Sequence, residues 1–179
     1  MTERLLGDVW THRLLLIALL GVIVFIQLLP LKTHDLDLPE PDILLGVLAA
    51  WMLRRPNYVP VGLLVFVGLL TDFLFLRAPG AWTMLMVIAF EIIRARGRRD
   101  GNMTFITEIS IVAIVFAGLF SANALLLLVF GVSQPPFGST VLHYAFTVAV
   151  YPLVAMVTVF VFHVRRPNPA ELVGIRGRV

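Results

Sequence analysis

Long apolar runs broken by short polar clusters dominate the chain. Six such runs can be drawn, at about 14–29, 42–55, 58–76, 81–93, 105–130 and 141–164. No alternating period is needed to read them. Runs of this kind predict helices apolar on most sides, as in a membrane. A bilayer core of about 30 Å takes roughly 20 helical residues. The third, fifth and sixth runs meet that length and the first nearly does, whereas the second and fourth are short. The run 58–76 is apolar from end to end except for Asp72. It reads as a crossing helix with the other runs packed around it.

Composition sharpens this reading. Of the 179 residues, 59% are hydrophobic and 14% charged, with a mean hydropathy of +0.94. Soluble domains carry about 25% charged residues. The pattern therefore predicts an all-α integral membrane protein, one transmembrane domain over residues 1–179. The first run is followed by Pro30-Leu31-Lys32 with no small-x-small step, so it reads as a retained span. The absence of cysteine removes disulfides, thiolate metal sites and cysteine nucleophiles.

Charge sets the orientation. With six crossings and the N-terminus inside, Arg4, Arg13, Arg54, Arg55, Arg94, Arg96, Arg98, Arg99, Arg165, Arg166, Arg176 and Arg178 fall on the inner side. Only Lys32 and Arg77 fall outside. If the second run dips and returns, the basic residues divide evenly. The positive-inside rule thus selects six crossings with both termini cytoplasmic. It also accounts for the pI near 10 without nucleic acid. Trp10, Trp51 and Tyr58 are expected at the inner interface, and Trp82 and Tyr144 at the outer one.

Candidate chemistry is sparse. A carboxylate within an apolar run is costly, so Asp72 is expected to avoid lipid. It either helps to fix its own helix or gathers Gln27, Asn123, Thr147 and Tyr151 into a polar cluster in the outer half. Glu91 and Arg94 stand three apart, a helical ion-pair spacing. Arg94, Arg96, Arg98 and Arg99 form a basic stretch suited to the cytoplasmic face, anionic lipid or a protein partner. Pro152 should kink the last run. Small residues at Ala113, Ala117, Gly118, Ser121 and Ala122, at Gly46 and Ala50, and at Ala145 and Ala149 suggest close helix contacts. No nucleotide loop, zinc motif or carboxylate dyad is present, and no cofactor is expected.

Several features together resemble the MreD family of bacterial rod-shape membrane proteins. These are Pro41-Asp42 opening the short second run and Arg54-Arg55-Pro56 closing it. Gly68-Leu69-Leu70-Thr71-Asp72 follows late in the third run, and Pro79-Gly80 opens the fourth. The resemblance is strongest over residues 40–95. It implies a multi-pass protein of the bacterial inner membrane and a non-enzymatic scaffold role in cell shape and peptidoglycan synthesis. The partners it implies are an MreC-like bitopic protein, MreB, RodA and a class B penicillin-binding protein. It also implies a fold similar to the substrate-binding S component of vitamin transporters. Candidate partner or structural residues are Pro41, Asp42, Arg54, Arg55, Pro56, Gly68, Asp72 and Asn123. The alternative is an S-component-like subunit that captures a small molecule. Against it, the first run offers only Ala18 and Gly21, three apart, where many S components carry an Ala-x-x-x-Ala step.

Overall fold

The computed structural model describes residues 2–29, 39–99, 103–132 and 136–162. Lys32 and the C-terminal Arg165, Arg166, Arg176 and Arg178, used above to set the orientation, lie outside these residues. All regular structure among the described residues is helical. The helices are α1 (Thr2–Leu28), α2 (Ile43–Arg54), α3 (Val61–Leu74), α4 (Ala81–Arg99), α5 (Phe105–Val129) and α6 (Phe137–Phe160), with a 3-10 turn at Pro56–Tyr58. Three segments are long and apolar enough to cross a membrane: Val9–Leu28, Phe105–Val129 and Phe137–Phe160. The α2 and α3 helices are apolar but shorter, at 12 and 14 residues.

The central element is α2, not the 58–76 run. Every residue from Leu44 to Arg54 is buried. It packs chiefly on α6 and α4, and α3 lies outside against α4. Hydropathy could not rank the two, because lipid and a protein core favour the same side chains. Helix α1 is the least engaged. Leu16, Leu20, Ile23 and Val24 face inward, while Trp10, Leu14, Val22 and Phe25 are exposed.

Close backbone approaches fix the packing. A Cβ on Gly68 would lie 2.8 Å from Thr83 Cγ2 and 2.9 Å from Met86 Cε, so α3 and α4 meet where a side chain is missing. A Cβ on Gly97 would come within 3.1 Å of the Leu53 carbonyl, at the α2–α4 crossing. The expected small-residue face of α5 is only partly used within the chain: Ala113, Ala117 and Ala122 are half-buried, and the Ala113 carbonyl accepts the Tyr144 hydroxyl of α6 at 3.2 Å. Ser121 is exposed and Gly118 meets nothing within 4 Å. The buried stripe of α5 is instead large: Val112, Phe116, Leu119 and Phe120. Likewise Gly46 packs on Val154 of α6, whereas Ala145 and Ala149 are exposed.

Several boundaries move. The stretch from Arg94 to Arg99 is helical, a continuation of α4 rather than a loop. Helix α6 begins at Phe137, four residues before the expected run, with Pro136 as its N-cap, and continues through Pro152 to Phe160. Trp51 does not belong to an interfacial belt. It is wholly buried, ringed by Tyr58, Phe162 and His12, and His12 stacks on Tyr58 at 4.8 Å.

Candidate functional site: two buried carboxylates at opposite ends

The contacts define two ends of the bundle. One gathers the start of α2, the α3–α4 connection, the end of α5 and the start of α6. The other gathers the end of α2, the start of α3, the end of α4 and the start of α5. They are called below the Asp42 end and the Arg54 end.

At the Asp42 end, Asp72 is wholly buried late in α3. Its Oδ2 accepts from the Thr83 hydroxyl at 2.7 Å, the Gly80 N–H at 2.9 Å and the Thr83 N–H at 3.3 Å. These N–H groups open α4, where the first turn has no helical acceptors and the dipole is positive. Asp72 is thus a capping acid supplied from the preceding helix. Gly80, at φ 86°, makes the turn that brings α4 back onto it. The expected outer polar cluster does not form around Asp72. Thr147 instead accepts the Asp42 backbone N–H at 3.0 Å, and Tyr151 lies toward the other end.

Asp42 is the N-cap of α2, its Oδ1 accepting from Leu45 N at 3.1 Å. Pro41 therefore lies just before the cap. The bond from Asp42 to Thr147 fastens the start of α2 to α6, and Thr147 returns its hydroxyl proton to the His143 carbonyl at 2.7 Å.

At the Arg54 end lies a group that sequence reading missed. Glu108, in the first turn of α5, is only 3% exposed. Its Oε1 takes Arg54 Nη1 at 2.9 Å and the Tyr151 hydroxyl at 2.6 Å. Arg54 is itself buried at the end of α2 and also donates to the Ala50 carbonyl at 3.2 Å. One carboxylate oxygen therefore ties α2, α5 and α6. Tyr151 belongs to this end because α6 starts earlier than expected, which places it in the second half of the helix. The one signal for Glu108 was a lone acid just inside an apolar run, the same signal that exposed Asp72.

Arg94 sits at the same end, 8% exposed. It donates to the Val59 carbonyl at 2.6 Å and to Met52 Sδ at 3.3 Å, and pairs with Glu91 at 3.0 Å. The Glu91–Arg94 pair is as expected. Arg94 nevertheless leaves the basic patch, because its face of α4 also carries Phe90 and Gly97, which pack inward. Arg96 and Arg98 are exposed and available to a surface partner. Arg99 ends the helix. Arg55 caps α2 through its backbone N–H to the Trp51 carbonyl, and Pro56 starts the 3-10 turn that follows. Arg13 of α1 reaches this turn, donating to the Asn57 carbonyl at 3.0 Å.

The described arginines are unevenly divided. Arg13, Arg54, Arg55, Arg94, Arg96 and Arg98 belong to the Arg54 end or to helix segments leading from it, as do the backbone positions of Arg4 in the first turns of α1 and Arg99 at the end of α4, and Arg77 belongs to the other. Asn123 lines a cavity at the Asp42 end, with Asp42, Arg77 and His143.

Fold and site together define an all-helical protein of membrane character, with buried carboxylates that tie its helices together. No protein-family model matches the chain, and neither the curated proteins nor the solved structures contain a match.

Proposed function

We propose that this chain is a multi-pass protein of the bacterial inner membrane. It crosses six times with both termini in the cytoplasm and serves as a non-enzymatic scaffold of the cell-elongation machinery. The observation that carries this reading is where the buried charge goes. Asp72, Glu108 and Arg54 each join one helix to another. Such ties make a rigid body whose outer apolar faces are left for lipid and partner helices. The uneven placement of arginine supports the orientation, with the Arg54 end cytoplasmic. The short α2 and α3 fit crossings that are shielded or completed by their neighbours, since α2 is buried along its length.

The sequence features that resemble MreD sit at these joints. Asp42 caps α2, Arg54 meets Glu108, Gly68 admits α4, and Asp72 caps α4. On this reading the partners are an MreC-like bitopic protein and, by the family resemblance, MreB, RodA and a class B penicillin-binding protein. Arg96 and Arg98 offer a surface for cytoplasmic contacts. The S-component alternative draws support from the cavity at the Asp42 end.

The test is co-expression with the bitopic protein encoded by a neighbouring reading frame. Stable co-purification in detergent, with loss of rod shape on deletion, is the expected result. Co-purification with a transporter ATPase instead, with shape unchanged, would replace the scaffold reading with the transporter one.

A further inference from the structure

The cavity at the Asp42 end has a volume of about 450 Å³. Small-molecule sites commonly span roughly 300–1,000 Å³, mostly apolar with a few convergent polar groups. This one has that character. Trp82, Phe120, Leu126 and Leu127 supply apolar wall. Asp42, Arg77, Asn123 and His143 supply the polar part.

The charges are of opposite sign. Asp42 spends one oxygen on the Leu45 N–H, and the basic groups that act on it, His143 and Arg77, line the same cavity. Arg77 is exposed, and its guanidinium rests over the Trp82 ring at 5.1 Å and the Phe75 ring at 5.5 Å. Stacking holds it at the cavity wall while leaving its in-plane donors free for an anion. A simple anion entering here meets Asp42, and a simple cation meets Arg77. A molecule carrying both charges satisfies both. His143, edge-on to Phe120 at 5.2 Å, closes the aromatic side.

We propose that this cavity binds an amphipathic zwitterion, its ammonium group against Asp42, its anionic group against Arg77, and its apolar arm along Trp82 and Phe120. The proposal does not depend on the scaffold reading. The same chemistry is offered by an aminophospholipid headgroup and by a free apolar amino acid.

The test uses full-length protein in a maltoside detergent, with the thermal unfolding midpoint read against added probe. The probes are short-chain phosphatidylethanolamine, short-chain phosphatidylglycerol, leucine and phenylalanine. A saturable rise with phosphatidylethanolamine assigns the lipid source, and one with leucine or phenylalanine assigns the soluble source. Asp42→Asn retains a capping side chain but removes the charge. Arg77→Gln alters an exposed residue. Each is expected to weaken the stabilising probe about tenfold or more, as loss of a charge-assisted hydrogen bond implies. The proposal is overturned if no probe moves the midpoint. It is also overturned if phosphatidylglycerol acts as strongly as phosphatidylethanolamine, or if both variants bind as the parent does.

Discussion

Asp72 and Glu108 are both acids buried in apolar helices, yet they are stabilised in different ways. Asp72 meets neutral donors, all within 11 residues of it in the chain. Its charge is answered by a helix N-terminus and one hydroxyl. Glu108 meets a guanidinium 54 residues away and a phenol 43 residues away. The first is a local device that sets one helix–helix turn. The second is a long-range tie that holds three helices together at once. The difference lies in what is left behind when a partner goes: helix N–H groups in one case, a buried cation in the other.

The largest effect is therefore expected at the Arg54 end. Glu108→Leu strands the Arg54 charge, and breaking a buried pair in this way costs about 3–5 kcal/mol. Unfolding in denaturing detergent should show it. Adding Arg54→Leu should recover much of the loss, since replacing both ions by apolar groups is often close to neutral. A double variant as unstable as the sum of the two singles would remove the distinction between the sites.

The Asp72 end is expected to respond less. Gly68→Ala drives a methyl group into Thr83 and Met86, an overpacking worth about 1–3 kcal/mol. Asp72→Leu leaves the Gly80 and Thr83 donors unmet, at about 0.5–2 kcal/mol for a lost cap, and Asp72→Asn should restore most of this. If Asn were as damaging as Leu, charge rather than capping would govern the site, and the two acids would be alike. Thermal midpoints of the three variants decide it.

The smallest effect sharpens the Glu108 tie. Tyr151→Phe removes one hydrogen bond while the ion pair stays. Interhelical hydrogen bonds in membranes average about 0.6 kcal/mol. A loss as large as that of Glu108→Leu would make the phenol, not the guanidinium, the main partner.

The same contrast between local and long-range partners explains what was legible in the sequence. Helix positions followed from the apolar runs, and Asp72 stood out as the one acid in its run, although its donors at Gly80 and Thr83 were not the polar groups expected around it. The centrality of α2 was hidden because lipid-facing and core-facing leucines look the same. Glu108 gave the same signal as Asp72, but its partners could be found only once α5 and α6 were placed against α2. Arg94 looked like surface charge because its run of arginines was contiguous. Helical rotation puts it inside and Arg96 and Arg98 outside. The earlier start of α6 moved Tyr151 across the middle of the helix, within reach of Glu108.

The central claim is that the two ends face opposite sides of the membrane. The chain lacks cysteine, so single introduced thiols report without background. Ala78→Cys marks the Asp42 end and Asn57→Cys the Arg54 end, both in cells treated with a membrane-impermeant maleimide. The account predicts labelling of the first in intact cells and of the second only after the membrane is opened. Equal labelling of both in intact cells, or the reverse order, would contradict it.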